Sequence, residues 1–162
     1  MRPAVLCTAA GTGTMGPMTK VTLTTELPIA ASTAARLARN PELMRYVLGP
    51  VLKMYRLNVP QRIEVGTVGS ARLWWFGLIP SWTHHIAVEQ LDDTEIATRE
   101  HGGPVRKWNH RLTFAPLGED RCRYTDEIET EDGWRGAPTR LFVRLMFRHR
   151  HRRWHALAAI IR

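Results

Sequence analysis

Cysteine is scarce in this sequence, and long apolar runs are absent. The two cysteines, Cys7 and Cys122, lie far apart, and neither belongs to a CxxC pair or to a cluster with histidine. We therefore expect no disulfide framework, no structural metal and a reducing, cytoplasmic setting. No stretch reaches the roughly 18 consecutive apolar residues of a membrane-spanning helix, so no transmembrane segment is predicted.

Acidic residues are missing from the C-terminal end of the chain. Residues 133–162 contain eight arginines, three histidines and no Asp or Glu, whereas residues 1–132 contain fifteen Lys or Arg and fifteen Asp or Glu. The whole net charge of +8 therefore comes from this end. A basic end on a neutral body has two interpretations, a contact with phosphate or membrane and a solvated helix face.

The first nineteen residues show neither helical nor strand periodicity and are rich in glycine and threonine. We expect residues 1–19 to form a disordered leader, since the apolar stretch after Arg2 is too short and interrupted for a signal peptide. Met15 and Met18 are alternative start positions within it. Residues 20–162 are predicted to form one domain, because a chain of 162 residues can bury a core of its own.

Residue patterns predict the order strand, two short helices, six strands and one long helix. The predicted strands cover residues 20–27, 51–57, 70–77, 82–90, 94–101, 105–115 and 121–129. The predicted helices cover residues 30–39, 41–47 and 138–161. Residues 58–69 are interpreted as a connection, and turn residues such as Gly102-Gly103-Pro104 separate the later strands. Successive hairpins of this kind predict an antiparallel meander.

Three motifs within this order resemble a known superfamily. They are Trp108-Asn109-His110, the segment 124–128 (YTDEI) and the segment 147–154 (FRHRHRRW). Over residues 20–162 the chain resembles the SRPBCC superfamily of Bet v 1, START and polyketide cyclase-like helix-grip proteins. The resemblance implies an α+β fold, in which a seven-stranded curved antiparallel sheet, two short helices and a long C-terminal helix enclose a cavity. It also implies that this cavity takes apolar or amphipathic small molecules.

One face of the predicted sheet combines apolar and ionisable residues. Its even-numbered members are Trp82, His84, Ile86 and Val88; Ile96, Thr98 and Glu100; Trp108, His110, Leu112 and Phe114; and Cys122, Tyr124, Asp126 and Ile128. Alternation with period two predicts a covered face, where a charged side chain needs a partner. Counting outward from the turns sets His110 opposite Asp126 and His84 opposite Glu100, so we expect two His/carboxylate pairs.

These pairs allow two interpretations. A carboxylate raises the basicity of a histidine, which makes His110 and Asp126 candidates for acid–base catalysis. The same contact also satisfies buried polar groups without any reaction. No nucleophile accompanies the pairs, because Cys122 is expected to be an inert core residue. The Gly102-Gly103 connection is expected to be an ordinary hairpin turn, with close approach of its backbone to a ligand as the alternative.

The last helix is predicted to be amphipathic. A helical projection puts Arg144, Arg148, His151, Arg152 and His155 on one side, and Leu141, Leu145, Met146, Leu157 and Ile161 on the other. His149, Arg150 and Arg153 lie in or near the apolar sector. We expect these to extend to the cavity mouth or to reach carboxylates such as Glu100 and Asp126. An arginine there would anchor the acidic or enolic end of a ligand, and structural ion pairing with Asp126, Glu127 or Glu129 is the favoured alternative.

Three functions are compatible with this sequence. The first is binding of a lipid, polyketide or aromatic metabolite by His84, Glu100, Trp108, His110, Leu112, Tyr124, Asp126, Arg150 and Arg153. The second is a polyketide cyclase or aromatase-like enzyme, of a cyclase/dehydratase type. The third is an interaction module whose basic helix contacts anionic lipid or nucleic acid, with nucleic acid the less favoured partner. No cofactor is expected, and the oligomeric state is left open.

Overall fold

The computed structural model describes residues 18–103, 105–131 and 136–161. Its strands are β1 (Met18–Leu27), β2 (Leu52–Asn58), β3 (Val68–Trp75), β4 (Ile79–Leu91), β5 (Glu95–Gly102), β6 (Val105–Pro116) and β7 (Cys122–Glu131). Its helices are α1 (Ala31–Ala38), α2 (Pro41–Leu48) and α3 (Gly136–Ile161). This is the predicted order of elements. The expected leader lies outside the described residues, apart from Met18 and Thr19, which belong to β1.

The seven strands form one antiparallel sheet in the order β1-β7-β6-β5-β4-β3-β2. Neighbours in sequence pair from β2 to β7, whereas β1 pairs with β7 at the opposite edge. Helices α1 and α2 connect the two edge strands, and α3 lies against one face of the curved sheet. The protein therefore has the predicted α+β helix-grip fold.

The β3–β4 turn is tighter than its predicted bounds. Trp75 is paired with Ile79, so β4 begins three residues before the predicted position 82. Phe76 and Gly77 occupy the turn with φ of 53° and 73°, and the Leu78 N–H donates to the Trp75 carbonyl oxygen at 2.9 Å. Positive φ at the two residues between such a hydrogen-bonded pair is typical of a type I′ turn, whose twist matches that of the two strands.

Two other local signals fix the positions of α2 and of the β4–β5 turn. The Asn40 side chain accepts a hydrogen bond from the Glu42 N–H at 2.9 Å, which caps α2. In the turn, Asp92 Oδ1 accepts the N–H of Thr94 at 2.9 Å and that of Glu95 at 2.8 Å. Hydrogen bonding, above all from the Thr94 N–H, lowers the pKa of Asp92 to about 2.

An aromatic cluster holds α3 on the sheet. Trp154 is fully buried, and its ring lies 6.3 Å from that of Phe114 and 5.5 Å from that of Tyr124. Phe114 and Tyr124 stack on each other with centroids 5.2 Å apart. Val143 and Ala158 continue this inner stripe of the helix toward its two ends. The rotation of α3 is thereby set, and with it the direction of its polar residues.

Gly102 and Gly103 pack against β4, so the close approach of this turn is to protein atoms. A Cβ added at Gly102 would overlap the carbonyl oxygen of Thr83, and one added at Gly103 would lie 2.6 Å from the ring of Trp82. Both residues also have positive φ. A residue with a side chain at either position would displace Trp82 and its strand.

We predict that Gly102→Ala is more destabilising than Gly118→Ala. The two glycines have similar φ, 124° and 127°, but nothing lies within 4 Å of a Cβ at Gly118. The steric overlap at Gly102 should lower the free energy of unfolding by about 1–3 kcal/mol more. Urea denaturation of both variants measures this difference. Equal losses would show that backbone conformation alone requires glycine at position 102.

Candidate functional site

The even-numbered residues of the central strands form the covered face that the sequence predicts. In β7 the alternation is strict, with Tyr124, Asp126 and Ile128 fully buried and their odd-numbered neighbours more exposed. In β5 and β6 the buried members are Ile96, Thr98, Glu100, Trp108, His110, Leu112 and Phe114. Ionisable side chains are therefore buried between the sheet and α3.

The β6–β7 register differs from the predicted one by two residues. His110 is opposite Ile128, and Asp126 is opposite Leu112, so the predicted direct opposition of His110 and Asp126 is wrong. The cause is the turn, which closes between Pro116 and Cys122 and so has its centre one residue later than assumed. A shift of two keeps every side chain on its face. His110 and Asp126 consequently meet along a diagonal.

The predicted register of the β4–β5 hairpin is wrong in the same way. Glu100 is opposite Ile86, not His84, because Leu91 pairs with Ile96 and a register shift follows at Val88. The His84 and Glu100 side chains nevertheless touch, again diagonally. Long side chains can bridge the diagonal distance between residues of neighbouring strands, so the contact does not require that the two residues be directly opposite.

Five ionisable residues form one hydrogen-bonded series, here called the His/carboxylate chain: His84, Glu100, His110, Asp126 and His151. His84 Nε2 lies 2.7 Å from Glu100 Oε2, and His110 Nδ1 lies 3.3 Å from Glu100 Oε1. On its other side, His110 Nε2 lies 2.9 Å from Asp126 Oδ1. His151 Nε2 lies 2.9 Å from Asp126 Oδ2. The chain therefore links β4, β5, β6 and β7 to α3.

Neighbouring groups orient Glu100 and His84 within this chain. Thr98 Oγ1 donates to Glu100 Oε1 at 2.6 Å. Trp82 Nε1 donates to His84 Nδ1 at 3.4 Å, and because an indole N–H is only a donor, this nitrogen of His84 is an acceptor. The proton of His84 is thus on Nε2, directed to Glu100. Trp82, held by the glycines of the β5–β6 turn, sets the tautomer of a histidine at the site.

His110 carries the charge that the chain requires. Each of its ring nitrogens faces a carboxylate oxygen, so only the imidazolium form can donate to both. Burial alone would lower the pKa of His110, but the bonds to Asp126 and Glu100 outweigh it and raise the pKa above 6.5. The histidines in turn lower the pKa of Glu100 despite its burial. Arg150, with His110 and His151, lowers that of Asp126.

Helix α3 presents different residues to the sheet than the projection predicts. Arg150 is buried as expected, with Nε 3.8 Å from Asp126 Oδ2. His151, expected on the exposed side, is buried against Asp126, and Leu141 and Leu145, expected on the packed side, are 59% and 56% exposed. Ile161 is also exposed. The projection failed because it assumed an apolar partner surface, whereas α3 faces a buried carboxylate.

Two small cavities lie between the sheet and the helices, and they share a polar wall. The first has a volume of about 120 Å³ and the second about 90 Å³. Both are lined by His84, Glu100, His110 and Arg150, together with Met44, Met54 and Ile86. The remaining walls are largely apolar. The His/carboxylate chain and Arg150 therefore lie at the junction of two apolar spaces.

The other predicted site residues are distributed around this junction. Leu112 lines the first cavity and Trp108 the second. Tyr124 and Asp126 line neither and lie behind His110, where burial raises the pKa of the Tyr124 hydroxyl well above 10.0. Arg153 is turned away, with Cζ 3.8 Å from the ring centroid of Tyr46 on α2. The expected inward reach of Arg153 to a carboxylate is thus replaced by stacking on Tyr46.

The residue patterns do not indicate a role for several residues that the structure places in the site. Thr98 and Trp82 belong to the predicted face but had no assigned role, although their donors orient Glu100 and His84. Met44 and Met54 give no local signal, because they reach the cavity only once α2 and β2 fold over it. Among the described residues, no group of three or more His, Cys, Asp or Glu is arranged to hold a metal ion. Nor does any described helix combine the length and hydropathy of a membrane span.

Comparison with known proteins identifies the family. Residues 25–157 match the family described as Domain of unknown function (DUF8410). The chain belongs to the DUF8410 family. No curated protein matches the DUF8410 chain significantly in sequence.

Solved structures resemble the DUF8410 chain in fold. A START superfamily protein from Mycobacterium smegmatis is 17% identical, with a TM-score of 0.70 over 88% of this chain and 99% of that one. Norcoclaurine synthase from Thalictrum flavum, in complex with dopamine and hydroxybenzaldehyde, is 11% identical, with a TM-score of 0.68 over 98% and 99%. A protein from Chromobacterium violaceum is 14% identical, with a TM-score of 0.72 over 86% and 96%. The SRPBCC-like fold expected from the sequence is confirmed.

We predict that the DUF8410 domain is most stable at mildly acidic pH. Asp126 and Glu100 have folded-state pKa values below 3.8 and 4.5, so their stabilisation is present above these values and lost as the pH falls. The folded-state pKa of His110 is above 6.5, so its stabilisation is complete below 6.5 and lost as the pH rises through the folded value. Urea denaturation at a series of pH values measures the loss of stability on the acid side and on the alkaline side, here called the acid limb and the alkaline limb.

The His110→Gln variant tests whether His110 causes the alkaline limb. It should lose about 3–5 kcal/mol of stability, because two buried carboxylates lose their shared cation, and its stability should no longer fall on the alkaline side. The acid limb should remain. An unchanged alkaline limb in this variant would assign that limb to another group.

Proposed function

We propose that the protein binds a small amphipathic molecule whose polar end lies at the junction of the two cavities. The observation that carries this proposal is the shared wall of His84, Glu100, His110 and Arg150 between two apolar spaces. Ligand pockets typically combine apolar walls with a few convergent polar groups. The likeness of the fold to a START superfamily protein supports the same class of function.

The cavity volumes limit the size of the occupant. A cavity of about 150 Å³ accommodates benzene, whereas drug-sized ligands occupy about 300–1,000 Å³. Spaces of about 120 Å³ and 90 Å³ therefore suit one aromatic ring or a short acyl chain. Among the ligand classes expected from the sequence, a small aromatic metabolite fits best. A whole lipid or polyketide would require the walls to move.

The charges at the junction favour a neutral polar group on the ligand. Glu100 and Asp126 are balanced by His110 and Arg150, since the four groups carry two charges of each sign. A phenol or alcohol can donate to Glu100 and accept from Arg150 without upsetting this balance. In this proposal Trp108 and Leu112 line the apolar walls, and Asp126 and Tyr124 orient the groups that touch the ligand. Arg153 has no direct contact.

We predict that p-cresol binds more tightly than p-xylene of almost the same size, because only the cresol hydroxyl reaches the junction. NMR chemical shifts of the Trp82 indole N–H and of the cavity residues report the binding. Ile86→Trp, at a residue lining both cavities, should abolish binding of both probes. Leu112→Trp should fill the first cavity alone.

Ile79→Trp is the matched control, because Ile79 is exposed at the β3–β4 turn. It should leave binding unchanged. Persistent binding in the folded Ile86→Trp protein would disprove the cavity site. Mass spectrometry gives a second test: small molecules that co-purify equally with the wild-type and Ile86→Trp proteins would also disprove the cavity site.

A second candidate is an enzyme that moves protons on a small carbonyl compound. Its support is that an acid, the His110 imidazolium, and a base, the Glu100 carboxylate, line the same cavities 3.3 Å apart. The synthase of similar fold was solved with dopamine and hydroxybenzaldehyde, so the fold accommodates chemistry on aromatic compounds. In a reaction of the cyclase or dehydratase class, Glu100 would remove a proton next to a carbonyl. Because its pKa is lowered, Glu100 is a weak base, so this step would depend on stabilisation of the enolate by His110 and Arg150.

We predict that the protein accelerates exchange of the α-protons of phenylacetaldehyde with deuterated water, as followed by NMR. His110→Gln should slow the exchange by about 10²–10⁴-fold, a far larger effect than its effect on p-cresol binding. His155→Gln, at an exposed histidine bonded to Thr25, is the control and should not change the rate. Exchange no faster than in buffer would exclude this activity without affecting the binding proposal.

The proposal needs neither a metal nor an added cofactor, because the polar groups at the junction supply the donors and acceptors. We propose the reducing cytoplasm as its setting. Cys122 supports this, since it is a buried free thiol.

A further inference from the structure

The tip of the β3–β4 hairpin exposes three large apolar side chains. Phe76, Leu78 and Ile79 are 57%, 79% and 60% exposed. They lie within four consecutive positions at the end of one hairpin. We call these three residues the apolar tip. Large apolar side chains exposed at the end of one hairpin commonly mark a surface that meets a membrane or another protein.

Phe76 is an unusual residue for its place in the turn. Its φ of 53° lies in the left-handed region, where a type I′ turn favours Asn, Asp or Gly. An exposed phenylalanine there contributes little to the core and is disfavoured by the backbone. Neither the turn nor the packing of the protein accounts for its aromatic side chain.

The outer face of α3 is basic and partly apolar. Arg140, Arg144, Arg148 and Arg152 are exposed at intervals of four residues, which aligns them along one ridge of the helix. Leu141 and Leu145 are exposed beside this ridge. The helix contains no Asp or Glu. Within the described ranges, the ion pairs of the protein include none of these four arginines.

The β3–β4 hairpin packs against the first turns of α3. The Trp75 ring, next to Phe76, lies 5.8 Å from the ring of Phe142 in the first turns of α3. Lys53 adds a further cation, since its side chain runs along Gly77 in the turn. No acidic residue occurs between positions 65 and 88. The hairpin and the helix, which meet through this contact, therefore supply exposed apolar and cationic side chains and no acidic ones.

We propose that the apolar tip and the outer face of α3 bind the surface of a membrane containing anionic phospholipid. The tip would enter the boundary between headgroups and acyl chains, and the arginines and Lys53 would contact lipid phosphates. A nucleic acid would leave the aliphatic side chains of the tip unused. A second copy that packed ridge against ridge would bring arginines of like charge together. This inference does not depend on the ligand of the cavity.

The test is co-sedimentation of the full chain with phosphatidylcholine vesicles, with or without phosphatidylserine. We expect binding only to vesicles containing phosphatidylserine and weakening with added salt. Each arginine near the surface contributes about fivefold, so Arg144→Gln with Arg148→Gln should weaken binding by about 25-fold. Phe76→Asn should weaken binding while preserving or raising the melting temperature, because Asn suits the left-handed turn position.

The control is Arg121→Gln with Arg123→Gln, which makes the same change in charge at exposed positions around the β6–β7 turn. An equal loss of binding in the control would mean that net charge alone acts, and it would overturn the proposal. Equal binding to both kinds of vesicle, or binding to neither, would also overturn it. Two further results would do the same: tight binding of duplex RNA or DNA unaffected by Phe76→Asn, or a dimer in light scattering that Phe76→Asn dissociates.

Discussion

The buried carboxylate of Asp126 holds the sheet, the long helix and the polar wall of the cavities together. One oxygen binds His110 from β6 and the other binds His151 from α3, with Arg150 nearby. An ionised carboxylate in the interior is costly unless such partners surround it, so these contacts are mutually required. Asp126 acts together with the Trp154 aromatic cluster in setting the rotation of α3, and together with Glu100 in keeping His110 charged.

Much of the fold was readable from the sequence, because its signals are local. Alternation in β7, the Asn40-Pro41 start of α2 and the glycines at 102 and 103 each identify an element or its end without knowledge of the rest. The register of the hairpins was not readable. It depends on where a turn closes, and the bonds of Asp92 and the pairing of Pro116 with Cys122 are features of three-dimensional geometry.

The site was predictable in its parts that lie on strands and less so in the parts that lie on helices. The alternation of inward and outward positions along the strands is sufficient to predict four site residues, His84, Glu100, His110 and Asp126. The side of α3 that faces them does not follow from hydrophobicity, because the helix buries Arg150 and His151 against a carboxylate and exposes Leu141 and Leu145. Cavity size was equally hidden, since Met44 and Met54 enter the walls from elements distant in sequence.

The pairing of β6 with β7 places the inward residues of both strands on one face of the sheet. A strand presents the same side chains to the interior after a slip of two positions, and the opposite ones after a slip of one. His110 reaches Asp126 from a diagonal position, although the two residues are not paired across the strands. A residue inserted within the β6–β7 turn itself would lengthen the loop and leave these pairs in place. The buried face would therefore survive a change in loop length, but not a one-residue slip of either strand.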